Sequence, residues 1–446
     1  MKMKKIGATV LTAAMAVTML AGCDKKASTT EETSESTTET TQDSTSDATE
    51  TTETVAETET EDSEKTIESC EITFWHGMSN TQEEILTQLT DEFNENNEYG
   101  ITVTLVNQGS YNDLSTKLTA SAAADTLPDM AQAYNNWLNP YIDKVVDLSD
   151  FVANDFDDYD DIVEAYREEC SEYGFIHALP FNKSTYVLFY NKTVLDELGF
   201  EAPKTWEDLT TIGEAYVEKY GNAAWGVDDL SGFVEASLRQ DGEDYVDETG
   251  ALFDTDGGLE TMTYIMDLYN NGYARLVGED KYFSNVLSAQ SILGYIGSST
   301  GASYITADGF ELAACPVPSN KESAAYCAGT NLVMFTQDAN KQLATWEYMK
   351  WLTSEEATVT WAIGTGYLPV RTSAYESAEY QDFMANDTTA TAAYEQSDAF
   401  FTSLAAYSAS NDVRSAVSAK MEELILDEAD PQTALDELVA EINAQF

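Results

Sequence analysis

The chain has 446 residues, 43% of them apolar and 11% aromatic, which is enough for one large cored domain or two lobes. Its 80 acids against 22 basic residues give a formal charge of −58, and a field of that sign excludes nucleic acid as a partner. The composition is not fibrous, and no apolar run is long enough to remain as a membrane span.

Lys2, Lys4 and Lys5 precede an apolar run from Ile6 to Leu20 that closes on Leu20-Ala21-Gly22-Cys23. The run is shorter than the roughly 20 residues a permanent membrane helix needs, and small residues at 21 and 22 suit cleavage before Cys23. This signal peptide with a lipobox resembles the leader of bacterial lipoproteins. The resemblance implies loss of residues 1–22 and lipidation of Cys23 with diacylglycerol and palmitate, leaving the protein on the outer face of the cell membrane. Two or more acyl chains make such an anchor stable. Residues 23–67 then read as a tether, because Thr, Ser and Glu dominate and 14 acids face only Lys25, Lys26 and Lys65. So little apolar surface cannot offset chain entropy, and a flexible coil of this length spans about 36 Å.

Beyond the tether, strands alternate with amphipathic helices. Ile72-Thr73-Phe74-Trp75 is a short strand, and Gln82–Asn94 puts Ile85, Leu86, Leu89 and Phe93 on one helical face. Ile101–Val106 alternates as a second strand, Asn112–Ala124 reads as a second helix and Asp129–Ala133 as a third strand. This βαβαβ start predicts a mostly parallel sheet with helices on both faces. A second series opens with the strand Tyr186–Tyr190, after which Thr205-Trp206-Glu207-Asp208 caps a helix reaching about Tyr220. The pattern is that of two α/β lobes.

Motifs that carry catalysis or metals are weak here. Gly297-Ser298-Ser299-Thr300-Gly301 has the spacing of a hydrolase nucleophile elbow, but that fold needs a later histidine, and His76 and His177 both precede it. The segment reads better as a small-residue turn that offers amides and hydroxyls to a ligand. Asp254–Gly258 lacks the distant glutamate of a calcium loop, and the acidic run Asp155–Asp161 reads mainly as a solvated loop or helix start. No nucleotide motif occurs, and neither a metal nor a cofactor is expected. Of Cys70, Cys170, Cys315 and Cys327, the last two form the pair most open to a disulfide.

Several segments in order resemble the family-1 extracellular solute-binding proteins of ABC importers, and most of all their glycerol-3-phosphate-binding branch. They are Phe74-Trp75-His76, Gly109-Ser110-Tyr111, Leu179–Thr185, Leu188–Lys192, Pro203–Trp206 and Thr365–Arg371. The resemblance implies a two-lobed periplasmic-binding-protein-like fold of the class II type, with a ligand cleft between the lobes. It sets the first lobe at 68–182 and 331–372 and the second at 183–330 and 373–446, with hinge crossings near Phe181–Ser184 and Gly329–Val333. It also implies a monomer that delivers its ligand to a membrane permease and has no enzymatic role. By position, ligand contacts fall on Tyr111, Asn135, Ser184, Ser298, Gly329 and Tyr367. Trp225, Phe233, Ser299, Arg371 and Arg414 are further candidates.

Two departures from that branch bear on the ligand. Asn135 stands where the branch has an acid, and Ala405-Ala406-Tyr407 stands where it has a phosphate-binding arginine, the nearest here being Arg414. Without a charge-assisted pair worth roughly 1.5–3 kcal/mol, phosphate binding inside so acidic a protein is disfavoured. A neutral sugar or oligosaccharide is the expected ligand, with glycerol-3-phosphate or a glycerophosphodiester as the alternative. A surface glycosidase and a receptor subunit remain open beside them.

Overall fold

The computed structural model describes residues 66–446. The leader, Cys23 and the tether as far as residue 65 lie outside the described residues. Ile67, assigned by sequence to the end of the tether, is buried in the first core.

Strands β1 (Glu71–His76), β2 (Thr102–Asn107) and β3 (Met130–Ala133) pair in parallel in the order β2-β1-β3. The helices between them are Thr81–Asn96, which buries Leu86, Leu89 and Phe93, and Tyr111–Ala123. The second helix starts where the Ser110 side chain accepts from Asp113 N while the Asp113 carboxylate takes Ser110 N, a reciprocal capping box. This start places Tyr111 at the C-terminal edge of the parallel strands, where open α/β sheets bind ligands.

β4 (Leu179–Asn191) is a 13-residue strand that carries the chain from one half of the sheet to the other. The strands after it are β5 (Trp225–Val227), the hairpin β6 (Val246–Asp247) and β7 (Gly250–Ala251), β8 (Ala274–Arg275), β9 (Gly294–Ser298) and β10 (Leu312–Cys315). The last two are β11 (Ala325–Met334) and β12 (Phe400–Thr402). The main sheet runs β2-β1-β3-β11-β4-β9-β5-β8, with β10 on β4 and β12 on β11.

The expectation of a mostly parallel sheet holds for each flank and fails in the middle. β11 is antiparallel to β3 and β4, and β4 is antiparallel to β9 and β10. A chain that crosses to the second half on β4 and returns on β11 lays the two crossings side by side in opposite directions. The β4–β11 ladder joins Leu179–Thr185 to Cys327–Leu332, with a register shift between Thr330 and Asn331.

Each half has its own core. The first packs Phe74, Leu89, Phe181, Trp346 and Trp361 with the helices Ala339–Leu352 and Glu355–Thr365. The second packs Leu188, Trp225, Phe233, Met266, Val417 and Leu438, with the C-terminal helices Ser410–Leu426 and Pro431–Asn443 laid on the helices Leu230–Gln240 and Asp256–Asn270. The two α/β halves and their crossing strands make the expected two-lobed architecture.

All four described cysteines are free thiols, so the Cys315–Cys327 pairing is corrected. Cys315 lies opposite Leu188 and Cys327 opposite Thr185 on the same strand β4. Three positions at about 3.3 Å each exceed the roughly 7 Å between Cα atoms that a disulfide tolerates.

Candidate functional site

A cavity of about 440 Å³ opens where the two halves meet over β11. The first half contributes Tyr111, Tyr134, Asn135, Trp137 and Glu169. Facing them are Ser231, Glu235, Tyr245, Tyr407 and Arg414, and the floor is Tyr326–Gly329 with β12 beside it.

The first wall is aromatic. Tyr111, Tyr134 and Trp137 meet edge to face with centroids 5.1–6.2 Å apart, which fixes the rings without solvent. Tyr111 Oη lies 3.1 Å from Tyr367 Oη and accepts from Asn182 Nδ2 at 3.1 Å. Tyr367 in turn stacks on Trp361, and Trp361 on Phe181. The wall is thus braced by the first core.

Asn135 is 2% exposed and its amide is fully engaged. Nδ2 donates to the Glu169 carbonyl (2.7 Å) and Glu172 Oε1 (2.6 Å), while Oδ1 accepts from Asn331 Nδ2 (2.8 Å) and pairs with His177 Nε2 (3.1 Å). With one acceptor serving both, Nε2 of His177 carries the proton. Burial lowers the His177 pKa to about 4, so the ring is neutral. Burial raises the Glu172 carboxyl to about 7 against the opposing hydrogen bonds from Ala405 N and Asn135.

Every ionised side chain on the cavity wall has a counter-charge. Glu169 is bound by Lys183, which is 0% exposed and comes up from β4. Glu235 takes Arg239 at 3.1 Å from the same helix, and also the Ser403 hydroxyl. Arg414 donates to Asp229 and, through Nη1, to Tyr326 Oη at 2.8 Å.

Polar bridges close one rim. Asn136 Nδ2 donates to Asn411 Oδ1 (2.6 Å), and Asn139 Nδ2 donates to the Ala405 and Tyr407 carbonyls (3.0 Å each). Ala405 N donates to Glu172 Oε2 at 2.9 Å. These contacts join the first half to the segment leading into the helix Ser410–Leu426.

The structure brings Tyr111, Asn135, Gly329 and Arg414 to the cavity. Tyr367 stands one ring behind Tyr111, and Ser184 Oγ donates to the Ala328 carbonyl within the crossing ladder. Ser298, opposite Tyr186 in β9, bonds Thr300, and Ser299 is buried at the start of the next turn. Tyr367, Ser184, Ser298 and Ser299 do not line the cavity, and three further candidates, set in surroundings away from it, are corrected as well. Trp225 donates its indole N–H to the Leu209 carbonyl in the second core, and Phe233 packs in that core, because their helix and strand turn these rings inward. Arg371 is buried on Asp158 (2.6 Å) and Asp161 (3.1 Å), so the acidic run 155–161, whose residues 157, 158 and 160 are exposed as a solvated loop should be, also serves as a partner for cations. Both histidines lie away from the Gly297–Gly301 turn: His76 Nδ1 accepts from Met78 N, and His177 meets Asn135.

Tyr134, Trp137, Glu169, Glu235, Tyr326 and Asp229 were not singled out by sequence. Tyr134 and Trp137 directly follow β3, and that position at a strand's C-terminal end was a usable signal. The two glutamates carried none in a chain so rich in acids.

A two-lobed α/β protein with an aromatic, polar-lined cavity over crossing strands belongs to the class of small-molecule binding proteins. Residues 88–392 match the family model described as bacterial extracellular solute-binding protein, and the chain belongs to that family. Among curated relatives, it is 24% identical over 405 residues to the sn-glycerol-3-phosphate-binding periplasmic protein UgpB of Pectobacterium atrosepticum, covering 84% of this chain and 90% of that one. It is 26% identical over 349 residues to the arabinooligosaccharide-binding protein of Bacillus subtilis, covering 71% and 78%. The crystal structure of a cyclic alpha-maltosyl-1,6-maltose binding protein from Arthrobacter globiformis superposes with a TM-score of 0.76 at 23% identity, covering 84% of this chain and 99% of that one. The last similarity is one of fold.

Proposed function

We propose that the protein captures a neutral carbohydrate, a sugar or small oligosaccharide, outside the cell and delivers it to an ABC permease. One observation carries the choice of ligand: aromatic rings line a cavity in which each ionised wall residue is already paired with an opposite charge. Rings cover the apolar faces of a sugar, while Asn, Ser, Tyr and the outer edges of the paired ions exchange hydrogen bonds with its hydroxyls. The arabinooligosaccharide-binding relative supports this ligand class.

In the same reading, Cys23 carries the lipid anchor and the folded chain works as a monomer. The lobes are 68–182 with 331–372 and 183–330 with 373–446, and they close on the ligand about β4 and β11. Tyr111, Tyr134, Trp137 and Arg414 contact the ligand directly. Asn135 holds Glu169 and Glu172 in place, and Gly329 lets the two crossings approach.

The alternative, glycerol-3-phosphate or a glycerophosphodiester, is favoured by the relative named for that ligand and by the presence of Arg414 on the wall. A glycosidase is disfavoured, since Glu169 and Glu235 are bound by Lys183 and Arg239 rather than left to serve a glycosidic oxygen. A thermal-shift screen of neutral sugars, polyols and glycerophosphodiesters separates these readings. A ligand at 100 times its dissociation constant adds about 2.7 kcal/mol of stability. The expected stabilisers are neutral oligosaccharides; stabilisation by phosphate esters alone would replace the reading with the alternative.

A further inference from the structure

We propose that Asp229 sets the charge of the ligand this cavity accepts: by holding Arg414 it makes a cationic clamp into a neutral hydrogen-bonding wall, and its removal opens the site to phosphorylated ligands. The proposal rests on the neutral-carbohydrate reading above and names the residue responsible for it.

Among the described residues lining the cavity, Arg414 is the one cation. A guanidinium has five donors in a planar fork suited to phosphate oxygens. Here Nη2 is on Asp229 Oδ2, Nη1 is on the Tyr326 hydroxyl, and the guanidinium carbon lies 5.5 Å from the Tyr326 ring centroid. The charge that would draw an anion is therefore cancelled in place, in a protein whose total charge is already −58.

Asp229 is held from two directions. Its Oδ1 caps the helix Leu230–Gln240 by accepting from Ser231 N (3.1 Å) and Gly232 N (3.3 Å). Its Oδ2 faces Arg414 and also receives the Tyr186 hydroxyl from β4. The cap fixes the carboxylate on the helix, so the second oxygen is presented to Arg414. Among the described residues, the cations that pair with the other two wall acids are engaged: Lys183 serves Glu169, and Arg239 serves Glu235.

This geometry supplies a conservative test. Asparagine is as good an N-cap as aspartate, so Asp229→Asn keeps the helix start while removing the charge. It also turns a donor or a weak acceptor toward Arg414, which leaves the guanidinium open to an anion. Asp229 acts through Arg414 and is a positioning residue, so the readout is a gain of specificity that loss of packing does not produce.

Isothermal titration of the full chain with glycerol-3-phosphate, with inorganic phosphate and with a panel of neutral oligosaccharides decides the matter, using wild type, Asp229→Asn and Asp229→Asn with Arg414→Gln. The expected result is no measurable phosphate-ester binding by wild type and at least a tenfold gain in Asp229→Asn. That gain weakens with added salt and is lost in the double variant. A folded Asp229→Asn chain with no gain overturns the proposal, as does a gain that survives Arg414→Gln. Tight glycerol-3-phosphate binding by wild type overturns both the proposal and the neutral reading. If no neutral sugar binds wild type, the neutral reading fails while the gain in Asp229→Asn still supports the role of Asp229.

Discussion

At the scale of single residues, the site rests on buried polar groups, and two of them carry measurable consequences. Lys183 and Glu169 form a buried pair beneath the cavity. Removing one partner of such a pair leaves an uncompensated charge and costs about 3–5 kcal/mol, so Lys183→Met should lower the unfolding free energy measured in urea by that much. Glu172 titrates against its burial. Its folded pKa of about 7 lies above the ordinary 4.5, so protonation is favoured by folding. Its contribution to stability is therefore complete below about pH 4.5 and lost as pH rises through about 7. Glu172→Gln should be more stable than wild type at pH 8 and should converge with it near pH 5, in paired denaturation curves. The groups facing Glu172 include the Asn135 amide, the backbone N–H groups of Ala405 and Ala406, and the Glu169 carboxylate. A difference that grows toward acid would contradict the assignment.

At the scale of elements, the crossing strands determine what the cavity floor looks like. A Cβ built on Gly329 would lie 1.7 Å from the Asn182 carbonyl oxygen, so no side chain fits without parting β4 from β11. Gly199 also has a positive φ, 78°, but has open space around it. Gly329→Ala should therefore cost more than about 4 kcal/mol or prevent folding, while Gly199→Ala should cost about 1 kcal/mol from backbone strain alone. Equal losses in chemical denaturation would refute the ranking. These elements also show what the sequence could disclose. The helix Trp206–Tyr220 begins at its Thr205 cap as expected, because the Thr-to-Asp capping box is a purely local signal. The strand expected at Tyr186–Tyr190 is in fact the second half of β4. Its first half hid behind Pro180, Asn182 and Lys183, polar or rigid residues whose burial is produced only by β11. For the same reason the sequence pointed to Tyr111 and Gly329 but missed Lys183 and Asp229 as the counter-charges of Glu169 and Arg414, which arrive from other segments.

At the scale of the whole molecule, two α/β halves share one cavity, the seat proposed above for a neutral carbohydrate. The polar bridges from Asn136 and Asn139 to the 405–411 segment show how the halves meet when that cavity is enclosed. Trp137 is the most direct probe, because it contributes a ring to the wall and lies outside the braced stack behind Tyr111. The decisive measurement is a calorimetric titration of wild type and Trp137→Ala with the neutral oligosaccharide that stabilises the chain most. Wild type should bind at micromolar strength or better, and Trp137→Ala should lose at least tenfold, about 1.4 kcal/mol or more, while still unfolding cooperatively. Undiminished binding by Trp137→Ala would contradict it, since the sugar would then sit somewhere other than this cavity.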